Sequence, residues 1–579
     1  MPPSPIYLLR GWLRSHPTLH RQLRDGTLWA ARRLPALQHA LTLVRDPRIA
    51  IGAGAYASWV QQWDTPTEAQ RQAILQGIGA MPRRPLISVV MPAYNTPEAS
   101  LRQAIASVRT QLYPDWELCI ADDASPAPHV EAVLKEEAAR DPRIRYVRRE
   151  RNGHISAASN TALEMARGEY VALMDHDDLL PPHALAAVVY TILREPDLQV
   201  VFSDEDKVDD HGQRSDPHFK PGWNPELLLG QNLVSHLGVY RRDLLERIGG
   251  FREGLEGSQD WDLALRATQG LPQHAVRHIP MVLYHWRQNG GTASFSETAL
   301  ERCARAGRRA VSEHLDLQGG AGARVEAQAS LPGWMDIAHA LPSQPPSLSI
   351  VLTRPGAPER EEWMLPAGMK AEVLEPTDAE PPLATAARAT GDLVLFLDPA
   401  LRPDEPDWLL AMLAQAMRPG IGAVGPLVQD ARDYVAEAGL LVDSLTQTGH
   451  PVPYLHGMSS RDAGYFGHLR LARQVSAVSG MALAVRRDAL AKAELSAGRQ
   501  EDWAVALCLA LGREGLGTIW TPAARLRHPA PTRRPPAPDG LTDPFFNPNL
   551  AVSGPGLRLT DGPGGAGMLV QAMREGGVV

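Results

Sequence analysis

LISVVMPAYNTPEASLRQAIASVRTQLYPDWELCIADDAS, residues 86–125, decides the fold class. It opens on an apolar run that ends in Pro and Asn (86–95), continues through a helical stretch (99–112) and closes on a second apolar run that ends in two acids (116–125). Strand, helix, strand is the natural reading of that change of period. The alternation continues outward through RIRYVRRE (143–150), a helix at 156–167 and EYVALMD (169–175). Strands alternating with helices predict an α/β domain with a mostly parallel sheet, right-handed crossovers and ligands beyond the carboxyl ends of the strands. Those ends carry Pro92, Ala93, Tyr94 and Asn95, then Asp122 and Asp123, then Asp175-His176-Asp177-Asp178.

Further out, the chain repeats itself. ARGEYVALMDHDDLLPPHALAAVVYTIL (166–193) matches ATGDLVLFLDPALRPDEPDWLLAMLAQAM (389–417), GVYRRDLL (238–245) matches LAVRRDAL (483–490), and QDWDLAL (259–265) matches EDWAVAL (501–507). Two domains of one fold follow from such self-similarity. The second is eroded: Asp398 stands where Asp175 does, but Pro399, Ala400 and Leu401 replace His176, Asp177 and Asp178. Leu86 and Glu169 are 83 residues apart, Leu348 and Asp392 only 44, so about one helix–strand unit is expected to be missing. Asp502 and His528 keep the spacing of Asp260 and His285 within one residue. The expected organisation is a helical basic region (1–84), a first α/β domain (85–315), a linker (316–345), a degenerate second domain (346–530) and a Pro/Gly-rich tail (531–579).

The length, 579 residues, excludes a peptide-sized module, and 44% apolar with 21% charged residues excludes a disordered or collagenous chain. A formal charge of −8 gives no reason to expect a nucleic-acid partner. Cys119, Cys303 and Cys508 lie far apart without metal spacing, so neither disulfide framework nor zinc cluster is expected and a reducing, cytoplasmic setting is. The sequence shows no apolar run long enough to span a bilayer, and the opening MPPSPIYLLRGWLR lacks the pattern of a signal peptide. Residues 1–60 carry eight Arg and two acids among amphipathically spaced Leu and Trp. They read either as a peripheral anchor on the anionic inner face of a membrane or as a helical arm docked on the catalytic body.

Carboxylates at a strand end, with oxygen donors only, suit a hard divalent cation such as Mg²⁺ or Mn²⁺, which usually accompanies a phosphorylated ligand. DHDD (175–178) alone is equally a solvated acidic turn. The preceding strand, the second acidic strand end at Asp122-Asp123 and a downstream acid favour a metal–diphosphate site. That acid lies in EGSQDWDLALR (256–266), where Asp260 and Asp262 open a helix. Moving a sugar from a nucleoside diphosphate needs one carboxylate to take the acceptor's proton while a metal neutralises the departing diphosphate. Asp260 suits the first role, and Asp177 or Asp178 the second. His285 in YHWR reads as a core histidine or as a neutral imidazole completing the metal shell. Asp204, Glu205, Asp206 and Lys207 end an apolar strand and read as donor-sugar or acceptor contacts, or as a solvated loop. Arg151, in the turn RNGH, is a phosphate contact or a plain turn residue.

LISVVMPAYN, ADDAS, ERNGHISAASN, MDHDD, SDEDK, FKPGWNPELLLGQN, GVYRR, GGF, GSQDWDLALR and HIPMVLYHWR occur in that order across 85–290. Together they resemble the family 2 glycosyltransferases of bacterial cell-surface polysaccharide synthesis. The resemblance implies the GT-A fold, a nucleotide-sugar donor, a glycan or lipid-linked glycan acceptor, a divalent metal and inversion at the anomeric carbon. Carried over by motif, it implies that Pro92 to Asn95 and Asp122-Asp123 hold the nucleoside, Asp175 the ribose side and Asp177-Asp178 the metal, with Asp260 as base. Residues 346–530 resemble the tandem second domain of some members. The competing function is an inactive glycan-binding scaffold; nucleotidyltransfer would need a Gly/Arg/Lys-rich loop after the first strand, where this chain has YNTPEAS.

Overall fold

The computed structural model describes residues 51, 53–288, 300–320, 322–328, 331–356, 363–366, 369–377, 380–443, 451–493, 503–529, 541–553, 556–562 and 564–576. Most of the basic amphipathic segment 1–60, with its expected membrane attachment, and Asp502 lie outside these residues.

Among the described residues, eight strands form the first sheet: β1 (Ile87–Ala93), β2 (Trp116–Asp122), β3 (Ile144–Arg148), β4 (Tyr170–Leu173), β5 (Val200–Val208), β6 (Arg214–His218), β7 (Gly238–Arg241) and β8 (Val276–Arg287). Their order is β3-β2-β1-β4-β7-β5-β6, with β8 also on β5. β1 is parallel to both neighbours, whereas β7 runs antiparallel to β4 and β5. The mixed sheet is built from strands buried on both faces. Ile87, Val89, Met91 and Ala93 of β1 face helices Glu98–Arg109 and Ala184–Arg194, while Val90 joins the opposite core with Ala158, Ala162 and Leu263. Alternate side chains of one strand thus fill two cores, which is why β1 is uniformly apolar rather than alternating.

The second sheet, from residues 348–528, runs in the order Ala371–Leu374, Leu348–Leu352, Leu393–Leu397, Ala482–Arg486, Ile421–Asp430, Gly517–His528 and Arg402–Pro403. Parallel pairing of Leu348 with Leu393, then antiparallel pairing of Leu393 with Arg486, repeats Ile87 with Tyr170 and Tyr170 with Arg241. The counterpart of β3 is absent among the described residues, in line with the shorter spacing. The likeness reaches single hydrogen bonds. Ser88 Oγ accepts from Gly168 N and donates to Glu117, and Arg242 Nε donates to Gly168 O; Ser349, Gly391, Glu372 and Arg487 repeat all three. A Cβ at Gly168 or Gly391 would lie 2.6 or 2.7 Å from the neighbouring strand's backbone, so glycine is required at both.

Two expectations change. Residues 316–345, read as a linker, contain the antiparallel hairpin Arg324–Gln328/Leu331–Ala338, whose Val325 and Met335 enter the first domain's core. Residues 531–579, read as a tail, contain the hairpin Leu550–Ser553/Gly556–Leu559 and the helix Gly565–Glu575. That helix buries Leu569, Val570 and Met573 in the core that also takes Ile74 and Ile78 of helix Glu68–Ala80. Each such side chain contributes about 1.5–3 kcal/mol on burial, enough to hold a short Gly-led helix that propensity alone would not. No described helix is long and apolar enough to cross a membrane.

Candidate active site

The carboxyl ends of β1, β2 and β4 lie side by side, with Ala93 paired to Asp122. Pro92 and Ala93 are buried within β1; Tyr94 is 48% exposed, and Asn95 turns the chain in the left-handed region (φ 51°), where Asn is tolerated. Asn95 N donates to Ser125 Oγ at 2.8 Å. Asp122 is fully buried and accepts from Arg148 (2.6 Å) and Ser125 N (2.9 Å). Asp123 accepts from Arg149 and from Gly153 N, folding the RNGH turn over the strand end. Arg151 is exposed on that turn. The lip therefore offers Tyr94, Asn95 and Arg151 to a ligand, while Asp122 and Asp123 hold its shape.

The acidic turn follows β4. Asp178 is buried; one oxygen accepts from Tyr284 Oη at 2.6 Å and the other from Arg287 N at 2.7 Å. Tyr284 Oη also accepts from Asp175 N at 3.1 Å. Arg287 Nε donates to Asp177 O, so β8 pins the whole turn. Asp175, Asp178 and His236 bring one ligand atom each within 4.8 Å of one another. His236 reaches this place from the loop before β7 and stacks on Tyr284 at 4.4 Å. Burial raises the Asp175 carboxyl, opposed by His236 and helped by Asp177; burial and the charges of Asp175 and Asp177 push Asp178 well above the usual range. Two crowded carboxylates beside an imidazole fit Mg²⁺ or Mn²⁺ in donor type and in their need for positive charge.

His285 is placed differently from the sequence expectation. Its backbone pairs with Leu179, next to the acidic turn, but Nδ1 meets Asp206 at 2.6 Å, and the acidic triplet contains His236 instead. Asp177 is half-buried and outside that triplet. Asp204 and Asp206, read as sugar contacts, face inward. Asp204 is fully buried and accepts from Lys220 N, His278 Nε2 and Asn547 Nδ2. Asp206 accepts from His285, Tyr56 and Arg214. The acids of this run, Glu205 included, are thus held by the scaffold, and Asp209 and Asp210 lie in the turn after β5. Glu205 accepts from His236 N at 3.1 Å; burial would raise its carboxyl, but Lys220 and His218 outweigh that and hold it well below the usual range.

Asp260 opens helix Gln259–Thr268, half-buried, with Oδ2 accepting from Asn232 Nδ2 at 2.7 Å. Its charge adds, as the smallest of five influences, to the raising of the Asp175 carboxyl. Asp262, 1% exposed, is clamped by Arg252 and Arg266, whereas Asp260 meets neutral donors, Asn232 Nδ2 and, through Oδ1, Trp261 N at 2.9 Å. Sequence reading missed His236, Tyr284, Lys220, Arg287 and Asn232. Lys220, fully buried, donates to Val234 O and His236 O and so fixes the loop that carries His236. Lys220, Asn232, Tyr284 and Arg287 lie within the motifs FKPGWNPELLLGQN and YHWR, whereas His236 lies in none.

The glycosyl transferase family 2 profile matches residues 88–249. The protein y4gI of Sinorhizobium fredii is 35% identical over 86% of this chain and 61% of its own length. The O-antigen biosynthesis protein RfbC of Myxococcus xanthus is 31% identical over 94% of this chain and 46% of its own. The chain thus spans about half to three fifths of these relatives. Chondroitin synthase of Escherichia coli is 28% identical over 38% of this chain and 31% of its own. Among solved structures, S. aureus TarS 1–349 in complex with UDP-GlcNAc aligns at a TM-score of 0.33 and 20% identity, over 40% of this chain and 66% of that one.

Proposed function

Residues 88–249 are a glycosyl transferase family 2 domain, and from that premise we propose that the chain moves a sugar from a nucleoside diphosphate to a cell-surface or lipid-linked glycan, with inversion and with a divalent metal. The carrying observation is the Asp175/Asp178/His236 triplet together with Asp260 at the head of helix Gln259–Thr268, whose charge reaches Asp175.

The lip formed by Tyr94, Asn95 and Arg151 binds the nucleoside and its phosphates. Asp178, oriented by Tyr284 and Arg287, with Asp175 and His236 would hold the cation, and His285 adds an imidazole beside the turn. When bound, the cation neutralises charge developing on the leaving diphosphate. Asp260 takes the proton of the acceptor hydroxyl, with Asn232 Nδ2 and Trp261 N orienting its two oxygens. With Asp260 as base, the acceptor oxygen bonds the anomeric carbon as the bond to the diphosphate breaks, a single in-line displacement and hence inversion. In the second sheet Asp398, the counterpart of Asp175, is instead paired with Arg354 at 2.9 Å, and Pro399, Ala400 and Leu401 stand in place of the other acidic-turn residues. Peripheral attachment to the inner membrane face through residues 1–60 would bring the enzyme to a lipid-linked acceptor.

Replacing Asp260 by Asn preserves shape and removes the base. With a panel of UDP-, GDP- and dTDP-sugars, turnover should fall by roughly 100-fold or more while nucleotide affinity stays within a few-fold. Turnover equal to that of the unaltered chain would overturn the assignment. Absence of transfer with every donor, alongside oligosaccharide binding, would favour the scaffold.

A further inference from the structure

Upstream of the family match, helix Ala53–Trp59 and the π-helical turn Val60–Asp64 place two polar side chains deep in the first domain. Tyr56 is fully buried and donates to Asp206 at 2.6 Å. Asp64, 3% exposed, accepts from Arg214 Nη2 at 2.6 Å. The same guanidinium donates through Nε to Asp206 and through Nη2 to Tyr56 Oη at 3.1 Å. Asp206 then meets His285 Nδ1 at 2.6 Å. The result is one continuous chain, Asp64–Arg214–Asp206–His285, braced by the Tyr56 hydroxyl.

The chemistry of that chain has a direction. An ionised Asp206 only accepts, so the proton on the imidazole sits on Nδ1, and Nε2 keeps its lone pair. Nε2 makes no hydrogen bond among the described residues, and the His285 backbone is paired with Leu179, immediately after Asp178. A carboxylate behind a histidine fixes ring orientation and tautomer. Asp206 is itself fixed from two further sides, by Arg214 Nε and by the Tyr56 hydroxyl. Arg214 has its own second anchor at Asp64.

Resting on the function proposed above, we propose that Tyr56 and Asp64 are positioning residues of the active site, acting through Arg214 and Asp206 to present His285 Nε2 for the metal–diphosphate group. The segment 53–64 is therefore working machinery rather than an arm laid on the catalytic body.

The test uses the full chain with Tyr56→Phe and Asp64→Asn. UDP, GDP, dTDP and CMP are each titrated by calorimetry at rising MnCl₂ and again in EDTA, and unliganded melting is recorded. Asp64→Asn should raise the Mn²⁺ concentration giving half-maximal nucleotide binding by about tenfold. Tyr56→Phe should raise it less, and both should leave binding in EDTA unchanged. Tyr56→Phe keeps its ring against Trp59 and Phe219, so its melting temperature serves as the control for a merely structural role. Folded variants with the Mn²⁺ dependence of the unaltered chain would overturn the inference; if Asp64→Asn does not fold, Tyr56→Phe alone decides. Metal-independent binding of every nucleotide by the unaltered chain would also overturn it. Transfer activity that persists while the Mn²⁺ response is unmoved sinks the positioning role and leaves the glycosyltransferase reading standing.

Discussion

His183 shows how much a single side chain in this molecule depends on its surroundings. It is 1% exposed, and neither ring nitrogen has a hydrogen-bond partner among the described residues. Burial, helped by the charges of His285, Arg214 and Arg71, lowers its pKa to about 3. The folded ring is neutral while the unfolded one takes up a proton near pH 6.5, so its contribution is present above pH 6.5 and is lost as pH falls toward 3. A His183→Leu chain should therefore lose less melting temperature than the unaltered chain between pH 7 and pH 5. Parallel melting curves at the two pH values would refute this. The same scale separates legible from illegible site residues. Asp260 and the DHDD turn were readable because acids at a helix start and at a strand end break an apolar pattern. His236 and Tyr284 were not: a His among Val and Leu, and a Tyr in a strand, read as core until the antiparallel β7 and the neighbouring β8 bring them to the turn. Asp204 and Asp206 misled for the opposite reason, since a run of acids looks solvated when only its sequence is seen.

The elements after the second sheet carry little periodic signal in the sequence. Strands of four residues and a helix opening on Gly565 give no window over which a period emerges, and their stability comes from tertiary burial. The C-terminal segment is nonetheless tied on both sides. Asp543 accepts from Val442 N, and Asn547 Nδ2 donates to Asp204 and to Lys220 O. A Cβ at Gly222 would lie 2.1 Å from Pro544 O, so the segment passes directly over the FKPGW motif. Asn547→Ala removes a donor from a carboxylate with no access to water. It should cost about 1–3 kcal/mol, read as a lower urea midpoint at unchanged slope. A midpoint equal to that of the unaltered chain would mean that Lys220 N and His278 suffice for Asp204. The helix–strand unit missing from the second sheet, by contrast, was visible as a difference in spacing, because long, fully apolar strands fix where each repeat begins.

Two copies of one sheet order in a single chain raise the question of what the eroded copy is for, and the contact between them answers it in physical terms. Asn224 exchanges hydrogen bonds with the Gln474 backbone in both directions, and Tyr465 Oη accepts from Phe219 N while donating to Pro217 O. Glu226, 4% exposed, accepts from Arg418 at 2.6 Å and from Gln415 at 3.2 Å. Burial alone would raise the Glu226 carboxyl; Arg418 and His339 outweigh it and hold it below the usual range. These residues flank helix Pro225–Gly230, whose next turn carries Asn232, the partner of Asp260. The second sheet thus acts as a wall behind the segment that carries Asn232, the partner of the proposed base Asp260, a role that needs packing and ion pairs but no metal. Its loss of the acidic turn costs that role nothing. The interface charge makes the dependence measurable. Arg418→Ala leaves a buried, uncompensated carboxylate and should destabilise the chain by about 3–5 kcal/mol, whereas adding Glu226→Gln with Arg418→Met should restore most of that loss. Calorimetric melting of the three chains distinguishes the cases. A single variant within about 0.5 kcal/mol of the unaltered chain, the range of ordinary surface substitutions, would show that the two sheets do not rely on this pair to stay joined.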